Sequence, residues 1–237
     1  TPFQPNLDTR FDPETVDAYE VGFKTNNAAN SLFFNGAIFY QEYSDFQLNT
    51  FTGTSFIVTS VPGLIAKGAE FDVRYLPEQL EGLTLQGGLV YAETQYDDFE
   101  AVDFFAPPRL PGSTISFAPR WSGTLAATYE TSFISDWDAR FNVSSRFTSK
   151  YNTGSNLDPL KEVEELVVVN ARMSFYSDNS PFELELWAQN LFDEDYYELA
   201  FDTPLQGTAA TQTAPGTAVG AFLSPPLTFG ATARVRF

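Results

Sequence analysis

The side chains best suited to chemistry sit in two acidic runs. Asp97-Asp98 with Glu100 and Asp103, and Asp193-Glu194-Asp195, offer the carboxylate oxygens that a hard cation such as Ca²⁺ takes. Neither run has the Asp/Asn/Gly spacing of a calcium loop, so solvated acidic loops account for both and no metal site is assigned. Nucleophilic chemistry has less to work with. The 237 residues include no histidine and no cysteine, which removes Ser-His-Asp and Cys-His catalysis, His-ligated zinc and thiolate sites within this stretch. No catalytic residue and no cofactor is expected. Thirteen basic residues against thirty-one acidic ones give a formal charge of −18, the wrong balance for a nucleic-acid partner. The 24 Phe and 11 Tyr, set against one Met, describe instead a β-protein with a large aromatic surface.

The elements that must carry these side chains alternate in twos. In the last stretch, Leu227, Phe229, Ala231, Ala233, Val235 and Phe237 form one face, and Thr228, Gly230, Thr232, Arg234 and Arg236 the other. Successive side chains of a strand point to opposite faces, so this is an amphipathic strand, and a membrane-crossing strand needs about 9–11 residues. The same reading upstream gives strands over about 15–25, 31–49, 56–76, 82–96, 117–131, 136–150, 162–177, 181–190 and 227–237. Within 31–49 the apolar face holds Leu32, Phe34, Gly36, Ile38 and Tyr40, but Phe33 and Phe39 fall on the other side. Pro62-Gly63 is expected as a bulge or edge kink. The longest aliphatic run, Leu166 to Val169, is far too short for a membrane helix.

Two regularities define the architecture. Short turns at Thr25–Asn30, Leu76–Gly82, Ser132–Ser135 and Ser177–Pro181 alternate with longer connections, and the acidic and aromatic residues outside strands gather in the long ones. Outer-membrane barrels have short turns on one side and long loops on the other, with aromatic girdles at both interfaces. Tyr19, Tyr75, Tyr91, Trp121, Tyr129, Trp137 and Phe237 suit such girdles. The fold class is therefore all-β, an antiparallel transmembrane β-barrel. The strand count of about nine is odd, whereas bacterial single-chain barrels have even numbers. An unclosed sheet in lipid leaves backbone groups unpaired at several kcal/mol each. The chain starts at Thr1 with no visible signal peptide. Residues 1–237 are thus expected to be the carboxy-terminal part of a larger barrel.

Four stretches resemble the TonB-dependent outer-membrane receptors. Pro13-Glu-Thr-Val-Asp-Ala-Tyr-Glu-Val-Gly-Phe-Lys24 is similar to that family's strand opener, and Lys67-Gly-Ala-Glu-Phe71 to its Lys-Gly-x-Glu strand core. Trp187-Ala-Gln-Asn-Leu-Phe-Asp-Glu-Asp-Tyr-Tyr197 resembles the Asn-Leu-Phe-Asp-x-x-Tyr signature near the last hairpin, and the strand ending on Phe237 resembles the signal read by barrel-assembly machinery. The resemblance implies a barrel of roughly 22 strands whose plug, TonB-contacting segment and earlier strands lie outside this chain.

It further implies active import across the outer membrane of a Gram-negative bacterium, with ligand bound at the extracellular face. The ligand would be a scarce siderophore, vitamin or oligosaccharide. Ligand contacts are expected from Tyr96, Phe99, Phe104, Phe105, Arg109, Tyr151, Tyr196, Tyr197 and Phe201. Girdle or loop packing would explain the same aromatics. Arg140, Arg146, Arg172, Glu183, Glu185, Arg234 and Arg236 should line the lumen wall, and Phe237 should act as the assembly signal. Implied partners are outer-membrane lipid, the barrel-assembly machinery, the TonB complex through the missing amino-terminal region, and a small-molecule ligand. Asn190-Leu-Phe-Asp193 is expected to serve strand-end geometry. The competing readings are a passive porin-like channel, an outer-membrane enzyme of the lipase-barrel type, and a soluble carbohydrate-binding β-protein.

Overall fold

One alternating pattern, kept in register from neighbour to neighbour, builds the molecule. The computed structural model describes residues 13–51, 56–100, 110–203 and 218–236. In chain order the strands are β1 (Thr15–Asn26), β2 (Leu32–Phe51), β3 (Phe56–Tyr75), β4 (Leu83–Tyr96), β5 (Trp121–Ile134) and β6 (Trp137–Thr148). There follow β7 (Tyr151–Asn152), a 3-10 turn (Pro159–Lys161), β8 (Glu162–Val163), β9 (Leu166–Tyr176) and β10 (Phe182–Gln189). The chain ends with β11 (Tyr197–Asp202), β12 (Val219–Leu223) and β13 (Thr228–Val235). Nine of these form one antiparallel sheet in the order β1-β2-β3-β4-β5-β6-β9-β10-β13, with β1 and β13 at its edges.

A one-residue slip would move a strand's whole apolar set to the other face, so the register tests the pattern directly. It holds across the sheet. Phe23 pairs with Gly36, Gly36 with Phe71, Phe71 with Leu89, Leu89 with Gly123, Gly123 with Phe147, and Phe147 with Val167. Further along the strands, Tyr129 pairs with Phe141, Phe141 with Met173, Met173 with Leu186, and Leu186 with Ala231. The next row belongs to the opposite face and is polar: Glu130, Arg140, Ser174, Glu185 and Thr232. Aromatics bound the apolar face. Tyr91 and Trp121 meet at 4.7 Å near its loop end, while Tyr75 and Tyr129 lie toward the turn end. Between them Phe34 stacks on Phe71 at 6.0 Å.

Several boundaries differ from the sequence pattern, each for a local reason. Phe33 and Phe39 lie on the polar face, where the Phe39 ring covers Gly68. A Cβ at Gly68 would strike the Tyr91 carbonyl oxygen, so the strand opposite needs hydrogen there and Phe39 supplies the cover. Pro62-Gly63 makes no bulge. Ser44 pairs with Gly63 and Phe46 with Val61 in unbroken register; the ladder omits only the intervening position, where Asp45 has φ 55° opposite a proline without an N–H. β5 starts at Trp121 and not at 117, because Phe117 takes φ 58° and donates its N–H to the Asn152 carbonyl. The turn expected at Ser132–Ser135 is instead Ser135 and Asp136, with Ser135 at φ 50° and a register shift between Ser132 and Ile134. The strand expected over 162–177 is broken: Glu162 and Val163 pair back onto Asn152 and Tyr151, and β9 begins at Leu166.

Above the loop end of the sheet the long strands β2 and β3 continue together. There Leu48, Val61, Tyr96 and Leu110 form a packed apolar core, joined by Phe46, Phe99, Ile115 and Leu157.

Candidate ligand-facing surface

The polar face carries its charges as cross-strand neighbours, so register decides which of them meet. Glu183 lies opposite Arg234, and the guanidinium reaches both Glu183 at 2.8 Å and Glu185 at 3.4 Å. Arg236, just past the end of β13, adds a second contact to Glu183 at 3.3 Å. Glu130 lies opposite Arg140 and binds its Nε at 2.5 Å, while the guanidinium sits 4.9 Å above the Tyr176 ring. These pairs are half-exposed on the basic side, where each contributes about 0–1 kcal/mol. Arg146 donates to the Tyr196 hydroxyl at 3.1 Å, with its guanidinium 5.7 Å from that ring. Arg172, opposite Asn142 and Trp187, has no ionic partner among the described residues. All seven expected wall residues therefore fall on, or at the end of, one polar face.

Among the described residues, two small hairpins lie at the loop end of the sheet. β7–β8 and β11–β12 are joined through a buried polar knot. Lys161 Nζ lies 2.6 Å from Asp202 Oδ2 and donates to Asn156 Oδ1 at 2.8 Å. The Thr153 hydroxyl accepts the Ala200 N–H at 3.0 Å, and the Thr153 N–H donates to the Lys161 carbonyl at 3.0 Å. Asp158 begins the 3-10 turn, its side chain accepting the Leu160 N–H at 3.0 Å. Residues 151–161, between the strands expected over 136–150 and 162–177, fold into β7 and the 3-10 turn, and Lys161, Asp202, Asn156 and Thr153 are not among the expected site residues. The one available signal was Asn156, Asp158 and Pro159 in succession, a turn-forming run.

The expected ligand-contact residues divide. Tyr96 is 2% exposed within the apolar core, and Phe99 packs against it. Tyr96 stands beyond the Tyr91 girdle, outside the membrane-facing band, and burial pushes its hydroxyl pKa up to about 12. Tyr151 is half-buried and 6.4 Å from Phe117; burial raises its pKa, while the nearby Arg146 pulls it down. Tyr196 is tied to Arg146, Tyr197 is exposed, and Phe201 packs against Phe222 at 5.5 Å. Phe104, Phe105, Arg109, Asp103 and Phe237 lie outside the described residues. Among the described residues no group of three or more acidic side chains converges to hold a metal ion.

The Asn190-Leu-Phe-Asp193 stretch is a clamp. Asn190, at φ 49°, donates its side-chain amide to the Glu194 and Pro225 carbonyls at 2.9 and 3.0 Å and accepts the Glu194 N–H at 2.8 Å. Asp193 accepts the Leu227 N–H at 2.7 Å. Two side chains thus fix both ends of the last long connection against the root of β13.

A sheet with one apolar girdled face, one ionic face, short turns at one end and built loops at the other is the wall of a large outer-membrane-type barrel. Residues 1–191 match the TonB-dependent receptor-like β-barrel model, and the chain belongs to that family. Among solved structures it is similar to the ferric yersiniabactin uptake receptor FyuA of Yersinia pestis (15% identity, TM-score 0.73, 94% of this chain and 30% of that one). It is also similar to the ferric-catecholate import receptor Fiu of E. coli K12 in its closed form (18%, 0.67, 96% and 28%). A third is the copper transporter OprC (17%, 0.67, 98% and 33%). At these identities the likeness shows the fold. The chain spans about a third of the length of these structures.

Proposed function

We propose that this chain is the carboxy-terminal barrel wall, without the plug, of an outer-membrane receptor for TonB-dependent active import of a scarce ligand. The observation that carries the proposal is the two-faced sheet: nine strands hold one apolar face in register while the other carries the paired charges of Arg140, Arg234 and Arg236. Such a wall suits a large barrel with a filled lumen, because a charged inner face needs counter-charges or water. The remaining strands and a plug would come from the rest of the protein, TonB would act through its amino-terminal region, and Phe237 would serve barrel assembly. The place of action is the Gram-negative outer membrane. The ligand is of siderophore, vitamin or oligosaccharide class; relatives named for ferric-siderophore uptake and copper transport favour a metal-bearing ligand.

Two measurements test this. An antibody against residues 151–161 should find the native protein in the outer-membrane fraction, at a mass two- to three-fold above that of the chain, enough for a closed barrel of roughly 22 strands and a plug. Accumulation of radiolabelled ferric siderophore, cobalamin or oligosaccharide by cells should stop when a protonophore collapses the proton-motive force. Uptake that continues would mark a passive channel instead.

A further inference from the structure

An amine, a carboxamide and a carboxyl group meet where the two hairpins join. Lys161 Nζ lies 2.8 Å from Asn156 Oδ1, and Asp202 Oδ2 lies 2.6 Å from the same amine. That Oδ2 also accepts from Asn156 Nδ2 at 3.3 Å. One carboxylate oxygen therefore touches both the nitrogen of a nucleophile and the nitrogen of a leaving group. The Asp158 N–H donates to Asn156 Oδ1 at 3.2 Å, where negative charge develops if the amide carbon is attacked. Water is kept out, because Lys161, Asn156, Thr153 and Asp158 are all buried. The backbone bends to make the site. Leu157, a bulky residue, holds φ 53° between Asn156 and Asp158, and a side chain at Gly154 would strike the Lys161 stem.

We propose that Lys161 and Asn156 join in an intramolecular isopeptide bond, with Asp202 as the catalytic acid and base. Asp202 takes a proton from the Lys161 ammonium, a transfer that removes two charges from a site without water. The freed amine attacks Asn156 Cγ. The Nζ–Cγ bond forms and charge gathers on Oδ1, where the Asp158 N–H meets it. Asp202 passes its proton to Nδ2 and takes a second one from Nζ. The Cγ–Nδ2 bond then breaks and ammonia leaves. Ammonium, carboxylate and carboxamide have become amide, carboxylic acid and ammonia, with atoms and charge conserved and nothing oxidised or reduced. Free in water an amine and a primary amide condense very slowly, but well-oriented intramolecular partners reach effective molarities on the order of 10⁵–10⁸ M. The product ties the turn after β7 to the end of the 3-10 turn and leaves no charge buried in the knot.

The test uses the wild-type protein, purified at full length, unfolded in denaturant, digested with trypsin and read by tandem mass spectrometry. Trypsin cuts after a free lysine, so an unlinked chain gives peptides 151–161 and 162–172. The linked chain should give a single peptide, 151–172, lighter than its sequence by about 17 Da, the mass of the lost ammonia. Backbone fragments between Asn156 and Lys161 should be missing, because the bridge holds both pieces. Asp202→Ala and Asn156→Ala should each keep the full mass and release 151–161. Wild type of full mass with Lys161 cleaved overturns the proposal. Loss of ammonia with Lys161 still cleaved also overturns it, since that marks a cyclic imide at Asn156 alone. A peptide joining Lys161 to Asp202 overturns Asn156 as the acceptor, and Asp202→Ala that still links overturns Asp202 as the catalyst. The wild-type digest reads the bond whether or not the variants fold, and none of these results touches the import reading.

Discussion

Lys161 and Asp202 meet at 2.6 Å with side chains 3% and 12% exposed, although 41 residues separate them and each belongs to a different hairpin. Asn156 completes the contact, reaching Lys161 at 2.8 Å and Asp202 at 3.3 Å. The two hairpins therefore move as one body or pull apart at the cost of two buried charges.

Removing one partner exposes this dependence. Lys161→Met leaves the Asp202 carboxylate buried without a cation, a change that costs about 3–5 kcal/mol in comparable buried pairs. The amides of Thr153 and Ala200 should lose protection in hydrogen–deuterium exchange, while amides of β4 and β5 keep theirs. Lys161→Met combined with Asp202→Leu should restore much of it, because no charge is then stranded. Equal protection in wild type and Lys161→Met would show that the pair does not hold the hairpins together.

Asn190→Ala should loosen the last connection. The side chain is 5% exposed and makes the three hydrogen bonds to Glu194 and Pro225, so its loss leaves buried backbone groups unmatched. The expected cost is about 2–4 kcal/mol. Thermal melting of the detergent-solubilised protein should fall, and protease should cut sooner between Glu194 and Pro225. Asn190→Asp, which keeps the acceptor and loses the donors, should fall between.

The alternation of apolar and polar positions carried most of the fold, because a two-faced strand must show it whatever its neighbours are. Phe141 and Asn142 point to opposite faces in the sheet as they do in the pattern. The short turns were legible for the same reason, and Asn190 with Asp193 stood out as a strand-end motif. What the pattern could not give was contact between distant loops. Nothing near Lys161 announces Asp202, and a polar run such as Asn152–Asp158 reads alike whether solvated or folded into a hairpin. Tyr96 reads as the last residue of an expected strand, yet its burial depends on Leu48, Val61 and Leu110, which come from three other segments.

Alkaline pH should reveal that burial. The Tyr96 hydroxyl titrates near 12 in the fold, above its ordinary value of 10.0. The folded state thus prefers the neutral form. Its contribution is complete below pH 10 and is lost as pH rises from 10 toward 12. Tyr96→Phe has no proton to lose, so its melting temperature should fall less than that of wild type over this window. Curves that run parallel from pH 8 to 12 would place Tyr96 in water.

The facing of the sheet has the sharpest test, since adjacent residues should respond oppositely. Val143 pairs with Ala127 and Ala171 on the apolar face, and Ser144 pairs with Ala126 and Asn170 on the polar one. A guanidinium on the lipid side costs about 2–4 kcal/mol near the midplane, whereas a lumen substitution only alters the local field. Val143→Arg should therefore reduce folding into bilayers, read as heat-modifiable mobility on gels and as urea unfolding in vesicles. Ser144→Arg should fold normally, because Asn142, Arg146 and Asn170 already make that surface polar. If Val143→Arg folds as well as Ser144→Arg, the apolar face does not meet lipid, and a barrel wall is the wrong description of this sheet.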